Sequence, residues 1–341
     1  MSSSNSPLKI GLIGAGRIGQ LHAENLRCRL PEAQLVMVTD ASEAAARACA
    51  ERQGVAAHGT DYRQILARKD IEALAVCSPT DTHVQIIEEA AAAGKHIFCE
   101  KPIDPDLGRI DGALAAVRKA GVVFQVGFNR RFDASFARIR RAIVAGEIGT
   151  PHQLRITSRD PGPPPIEYVR VSGGIFMDMT IHDFDMAQFL IGDAVEEIYA
   201  TGGVRVDPAI GEAGDLDTVT IVLKFRGGAT GVIENCRKAV YGYDQRVEVF
   251  GSGGRIEAEN RYPNTTTISD GRSVHRELPL HFFLDRYTDS YIDELRAFVK
   301  AVREGGPSPV SGEEARVPVV MALAARRSWK ENRPVRLSEI G

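Results

Sequence analysis

Asp178 and His182 stand four residues apart in Asp178-Met179-Thr180-Ile181-His182, a spacing that puts both side chains on one face of a helix, where they interact directly. An imidazole titrates near neutrality, and a neighbouring carboxylate fixes its tautomer and raises its basicity. Such a pair can take a proton from an alcohol while a hydride leaves the same carbon. Asp185 lies a further turn along the same stripe. The same pattern also fits a capping or surface ion pair. Asp and His are zinc ligands too, but no third ligand is evident and hydride chemistry needs no metal, so no metal is expected. Lys101 is the next candidate. Pro102 fixes φ and removes a donor, which holds the lysine of Glu100-Lys101-Pro102 at one place. There its ammonium can stabilise charge on a reacting oxygen; a solvated loop lysine is the plain alternative. Arg130-Arg131 after Gly127-Phe128-Asn129, and Ser158-Arg159-Asp160, suit gripping hydroxyls or forming salt bridges between domains. Tyr241-Gly242-Tyr243-Asp244 offers phenols that could equally be buried structural groups.

A departing hydride needs an acceptor, and the amino-terminal stretch supplies a place for one. Leu8, Ile10, Leu12 and Ile13 form an apolar strand running into Gly14-Ala15-Gly16-Arg17-Ile18-Gly19, followed by a helical pattern with Ile18, Leu21 and Leu26 on one face. Strand, glycine turn and helix occur in the order of a dinucleotide site. Gly14 allows the tight turn, Gly16 lets backbone approach a pyrophosphate, and Gly19 lets helix and strand pack closely. The next strand, Gln34 to Asp40, ends in an acid 21 residues beyond Gly19, where a carboxylate can accept from ribose hydroxyls. A glycine turn in a ligand-free α/β domain is the bland alternative.

The elements that hold these groups alternate. A helix from Ser42 to Gly54, a short one from Asp61 to Ala67, the apolar run Ala73 to Cys77, a helix capped by Asp81 and ending at Gly94, the strand His96 to Glu100, a helix from Asp106 to Ala120 and the strand Val122 to Val126 follow in turn. Strands separated by helices imply a parallel, doubly wound sheet covered on both faces. Ligands bind beyond the carboxyl ends of such strands, which marks Ser78 to His83, Glu100-Lys101-Pro102 and Gly127 to Arg131. The pattern changes after a helix ending at Gly146. His152 to Asp160 reads as a strand, Pro161 to Pro165 as a break, and Gly173-Gly174 opens one helix from Ile175 to Leu190. From Glu196 the period is mostly 2, which predicts a largely antiparallel sheet with one open face, a candidate subunit contact. Two helices, Tyr287 to Arg303 and Gly312 to Trp329, end the chain. The expected domains are therefore 1–127, 128–286 and 287–341, the last able to pack back on the first.

The 341 residues suffice for two domains. With 43% apolar and 26% charged residues, disordered and fibrous classes drop out. A formal charge of −3 gives no electrostatic case for nucleic acid or an anionic membrane. Cys28, Cys49, Cys77, Cys99 and Cys236 are scattered with no CxxC pair and read as reduced cysteines of a cytoplasmic protein. Met1 to Pro7 is polar and serine-rich, not an apolar signal, and no run of about 18 apolar residues suggests a membrane span.

Taken together, the opening loop, Glu100-Lys101-Pro102 and Gly173-Gly174-Ile175-Phe176-Met177-Asp178 through Asp185 resemble the glucose-fructose oxidoreductase / inositol dehydrogenase (Gfo/Idh/MocA) family over most of the chain. Gly127-Phe128-Asn129-Arg130-Arg131-Phe132-Asp133, Thr157-Ser158-Arg159-Asp160-Pro161 and Tyr241-Gly242-Tyr243-Asp244 are similar to its myo-inositol 2-dehydrogenase branch. The resemblance implies a Rossmann domain, a second α/β domain with an open, mainly antiparallel sheet, NAD as cofactor, a small polyol substrate and a homotetramer. Lys101, Asp178 and His182 match the family's catalytic lysine, aspartate and histidine. For the cofactor the match points to Gly14, Gly16, Arg17, Ile18, Gly19, Asp40, Ser78, Pro79, Thr80, His83, Glu100 and Lys101. Asn129, Arg131, Asp160, Asp185 and Tyr241 correspond to polyol contacts. Some inositol dehydrogenases carry histidine two residues before the position of Asp160; Ser158 stands there here, which leaves the inositol isomer open.

Overall fold

The structure is a computed structural model that describes residues 6–341; of the polar stretch Met1–Pro7, residues 1–5 lie outside the described residues. The chain divides into two compact units, one running to Asn129 and taking in Asp289–Val317, the other Arg130–Thr288 with Pro318–Gly341. The carboxyl-terminal residues therefore belong partly to each unit.

In the first unit, β1 (Leu8–Ile13), β2 (Ala33–Thr39), β3 (His58–Gly59), β4 (Ala73–Val76), β5 (His96–Glu100) and β6 (Phe124–Gly127) form a six-stranded parallel sheet in the order β3-β2-β1-β4-β5-β6. The order reverses between β1 and β4, the switch point where such sheets bind ligands. Helices α1 (Arg17–Cys28), α2 (Glu43–Gln53), α3 (Arg63–Ala67), α4 (His83–Ala92) and α5 (Leu107–Ala120) make the crossovers. Ser42 caps α2 by accepting from Ala45 N–H, and Asp106 caps α5 by accepting from Arg109 N–H. Asp81, expected to cap α4, does not do so. A 3₁₀ turn at Thr80–Thr82 comes first, closed by Thr82 N–H on the Pro79 carbonyl, and α4 starts at His83 with no side-chain cap. The core is shared with the helix Thr288–Glu304, whose Ile292, Leu295, Phe298 and Val299 join one buried cluster with Leu8, Ile10, Leu12, Leu26, Leu35 and Phe98.

The second unit is built on a seven-stranded sheet. Its strands β7 (Pro151–Arg159), β8 (Val195–Gly203), β9 (Thr218–Phe225), β10 (Thr230–Cys236), β11 (Asp244–Gly251) and β12 (Gly254–Ala258) run in the order β12-β11-β7-β10-β9-β8, with Val335–Arg336 added beside β8. All pairs are antiparallel except β7 with β10, which sets Ser158 beside Asn235 and Arg159 beside Cys236. Along β9, Val219, Ile221, Leu223 and Phe225 are buried while Thr220, Val222 and Lys224 are exposed, the alternation of a sheet packed on one face. Helices α6 (Ala134–Val144), α7 (Ile166–Val169), α8 (Ile175–Asp178) and α9 (Ile181–Ile191) precede β8.

The single helix expected from Ile175 to Leu190 is two. Thr180 N–H reaches back five residues to the Ile175 carbonyl at 2.9 Å, and its buried hydroxyl donates to Asn235 Oδ1 at 2.6 Å. That sideways tether interrupts the ladder between Asp178 and His182, where the sequence holds neither proline nor glycine. All five cysteines are free. No helix among the described residues is long and apolar enough to cross a membrane.

Candidate functional site

In the first unit the glycine turn distinguishes packing from access. Gly14 has φ +93°, and a Cβ there would lie 2.6 Å from the Cys77 backbone; a Cβ on Gly19 would lie 1.9 Å from the Gly14 carbonyl oxygen. Those two glycines are demanded by the protein itself. Gly16 is not, because a Cβ there meets nothing within 4 Å. It opens the 12-residue helix α1 with no acidic residue in the first turn, so the amide N–H groups at this helix start face an uncluttered, electropositive surface. The turn fits a dinucleotide pyrophosphate. Asp40 ties the turn to the next unit of the sheet. Its Oδ2 accepts Ala15 N–H at 2.7 Å and its Oδ1 accepts Ser42 N–H at 2.8 Å. Each oxygen keeps a lone pair for a ribose hydroxyl.

Beyond β4 and β5 the rim is fixed mainly by histidines. His83, 1% exposed, sets Nδ1 2.9 Å from the Pro102 carbonyl and Nε2 2.8 Å from the Ser78 carbonyl. Burial lowers its pKa while the two carbonyls, which both favour a proton on the ring, oppose that shift; the ring bridges the Ser78-Pro79-Thr80 segment and the Lys101-Pro102 segment, whose peptide is cis. Ser78 and Thr82 hydroxyls are 2.7 Å apart. His22, fully buried on α1, donates Nε2–H to Glu100 Oε1 at 2.7 Å. Glu294 lies behind them, 0% exposed, with neither carboxyl oxygen hydrogen-bonded among the described residues. Burial first, then the Glu100 charge, pushes its pKa well up. His22, Glu100 and Glu294 are the one His/Cys/Asp/Glu group among the described residues clustered tightly enough for a metal. Ligands sharing a tetrahedral zinc stand about 3.3 Å apart, so the 2.7 Å His22–Glu100 contact is a direct hydrogen bond instead.

In the second unit Asp178 ends α8. Its Oδ1 accepts the Tyr168 phenol at 2.9 Å and its Oδ2 accepts Arg237 Nη1 at 3.2 Å. Arg237, 1% exposed, also reaches Asp215 Oδ2 with Nη2 at 3.4 Å. Asp160, half-buried beyond β7, is pushed up to about 7 by burial and then by the Asp178 charge, against the Arg237 and Arg130 guanidinium groups. Asp183, 0% exposed, accepts from Arg130 Nη1 (2.6 Å), Ser158 Oγ (2.7 Å) and Asn235 Nδ2 (2.7 Å). Ser158 is itself 0% exposed, so its hydroxyl is spent inside this network.

The remaining polyol candidates separate. Arg131 and Asp185 face each other as a buried fork, with Nε 2.9 Å from Oδ2 and Nη2 2.6 Å from Oδ1. Tyr241 donates to Asp244 Oδ2 at 2.7 Å and accepts from Arg159 Nη1 at 2.9 Å. Asn129, 2% exposed at the end of the first unit, keeps Nδ2 without a hydrogen-bond partner among the described residues.

Residues 8–128 match the oxidoreductase family with an NAD-binding Rossmann fold, and residues 136–257 match the GFO/IDH/MocA C-terminal domain. The chain belongs to the Gfo/Idh/MocA oxidoreductase family. Within it, the chain is 48% identical over 333 residues to a myo-inositol 2-dehydrogenase of Thermotoga maritima, covering 98% of this chain and 99% of the relative. It is 46% identical over 332 residues to an inositol 2-dehydrogenase of Rhizobium meliloti, covering 97% and 99%. The crystal structure of a probable dehydrogenase from Thermotoga maritima is similar at a TM-score of 0.96 and 48% identity, covering 98% and 100%.

As a Gfo/Idh/MocA member the protein is an NAD-binding oxidoreductase, in agreement with the resemblance read from its motifs. Sequence reasoning had not picked out Tyr168, Arg237, Asp215, His22 or Glu294. Arg237 is 59 residues from Asp178 and Glu294 is far beyond Glu100 in the chain, so no local spacing could have paired them. The one available signal was the arginine itself, at the end of a strand otherwise alternating apolar and polar residues.

Proposed function

We propose that the protein oxidises a ring hydroxyl of inositol to the ketone, converting myo-inositol to 2-keto-myo-inositol with NAD. The observation that carries this reading is near-full-length identity of 46–48% to inositol 2-dehydrogenases with Lys101, Asp178 and His182 all in place. NAD, when bound, supplies the hydride acceptor at C4 of its nicotinamide. Gly14 to Gly19 would hold the pyrophosphate on backbone amides and Asp40 the adenosine ribose, where a 2′-phosphate would meet like charge. Ser78, Pro79, Thr80, His83 and Glu100 would line the rest of the cofactor's path. His182 takes the hydroxyl proton, Asp178 orients the imidazole, and the Lys101 ammonium stabilises the oxygen as its proton leaves and the carbon gives up hydride. Asn129, Arg131, Asp160, Asp185 and Tyr241 are assigned to shaping the polyol site, with Arg131 and Asp185 doing so as a pair.

The proposal includes a cytoplasmic homotetramer joined through the open sheet face, to be checked by light scattering on the purified chain. The reaction is tested by initial rates of NADH formation with myo-, scyllo- and D-chiro-inositol and simple hexoses. The expected result is fastest turnover of myo-inositol. Turnover of a pyranose without any inositol would reassign the substrate to a sugar, and NAD binding without turnover of any polyol would make the protein a non-catalytic NAD-binding regulator.

A further inference from the structure

Arg237 is among the largest fully buried side chains, and a buried guanidinium is tolerated when carboxylates pair its charge; its Nε has no hydrogen-bond partner among the described residues. Its two terminal nitrogens serve two acids, Nη1 on Asp178 and Nη2 on Asp215. Asp215 in turn accepts the Ile175 N–H at 3.0 Å, and a Cβ on Gly174 would lie 2.8 Å from Asp215 Oδ1. The four-residue helix α8 is thus gripped at both ends, its first amide by Asp215 and its last side chain by the arginine that also holds Asp215. One helical turn has almost no cooperative stability of its own. The backbone ladder also breaks after Asp178, so α8 does not run on into α9 as one continuous helix. The second carboxylate oxygen takes the phenol of Tyr168, on the one-turn helix α7. With each oxygen on a different donor, both the plane and the direction of the Asp178 carboxylate are set.

We infer that Arg237 is a positioning residue which, with Asp215 and Tyr168, aims the Asp178 carboxylate for its work on His182. This rests on the reading of Asp178 and His182 as the acid–base pair. The Arg237 charge also holds down the neighbouring Asp160, which faces Asp178, Arg130 and Asp183 as well.

The test uses the full-length protein, saturating NAD and the polyol that the wild type turns over. Arg237→Lys keeps the charge and loses the two-pronged fork. It is expected to lower kcat about 10- to 100-fold, as a misaimed catalytic group does, with NADH affinity unchanged within about twofold. Tyr168→Phe, at a half-exposed position, should cost a smaller factor. The deciding measurement repeats both substitutions in an Asp178→Asn background, read by single turnover. Residues that act through Asp178 cost less than about twofold further there. Losses that multiply in that background, or wild-type kcat in folded Arg237→Lys and Tyr168→Phe, overturn the inference. Should Arg237→Lys not fold, Asp215→Asn and Tyr168→Phe carry the same comparison. Full activity in Asp178→Asn alone would sink the acid–base reading itself, whereas an inactive Asp178→Asn beside a fully active Arg237→Lys defeats only the positioning role.

Discussion

The glycine turn of the first unit and the Asp178 helix of the second hold their polar groups in opposite ways. Around Gly14 to Gly19 the offered groups are backbone amides, aimed by the path of the chain, with Gly16 left bare toward solvent. Around Asp178 they are side chains held by other side chains, Tyr168, Arg237 and Asp215, from elements distant in sequence. A backbone site is specified by consecutive residues and is damaged by whatever adds bulk or strain locally. A side-chain site depends on remote partners and is damaged when any one of them loses its geometry. Binding of cofactor and chemistry on the polyol should therefore fail separately.

The largest effect that would sharpen this contrast is expected from His182→Ala, which should lower kcat by about 10²- to 10⁴-fold, the usual scale of a lost general base. NADH binding, followed by fluorescence, should be unchanged; a parallel loss of both would break the contrast. Gly14→Val is the converse. At φ +93° and 2.6 Å from the Cys77 backbone, a branched residue must displace the turn, and NADH affinity should fall roughly 10²-fold from strain of a few kcal/mol. Asp40→Ser should cut the preference for NAD over NADP by about tenfold in kcat/KM, since the like charge facing a 2′-phosphate is gone. Asp160→Asn concerns pH. The group's pKa is raised from 3.8 to about 7, so it is a neutral acid below that value and an anion above it. KM for the polyol should fall by up to about fivefold as pH rises through about 7, the margin of a charged over a neutral acceptor, and the variant should lose that step.

Glu294→Gln should have the smallest effect and leave both activities intact. The folded-state pKa of Glu294 is raised, so its contribution to stability is complete below the unfolded value and is lost as pH rises toward the folded one. The thermal midpoint of the wild type should decline from about pH 5 upward more steeply than that of the variant. Equal slopes would mean that the carboxyl is not enclosed in the first unit.

The same contrast decides what the sequence made legible. The parallel sheet and the glycine turn could be read directly, because alternation, the Ser42 cap and Gly14 act on near neighbours, whereas the two-residue β3 (His58–Gly59) went unread and β6 runs Phe124–Gly127 where Val122 to Val126 was expected. The break after Asp178 could not, because it comes from the Thr180 hydroxyl reaching Asn235, 55 residues away. Asp81 failed as a cap for a local reason, since the 3₁₀ turn at Thr80–Thr82 starts the helix two residues later. Arg131 and Asp185 were each legible as polar candidates, yet nothing in their spacing announced that they bond each other. The parallel pairing of β7 with β10 was also invisible, since β10 reads as one more strand of a meander.

One feature of the first unit bears on how the protein is made. Phe298, Leu295, Ile292 and Val299 complete the cluster under β1 and β2, and Val126 N–H on the outermost strand β6 is satisfied by the Val310 carbonyl. During translation, which delivers the amino-terminal part first, the nucleotide-binding half must wait, its apolar floor open and its sheet border unpaired, until nearly the whole polypeptide has left the ribosome. A fragment stopping at the end of β6 is expected to aggregate instead of forming an autonomous cofactor module, so nascent chains of this protein are natural clients for chaperones.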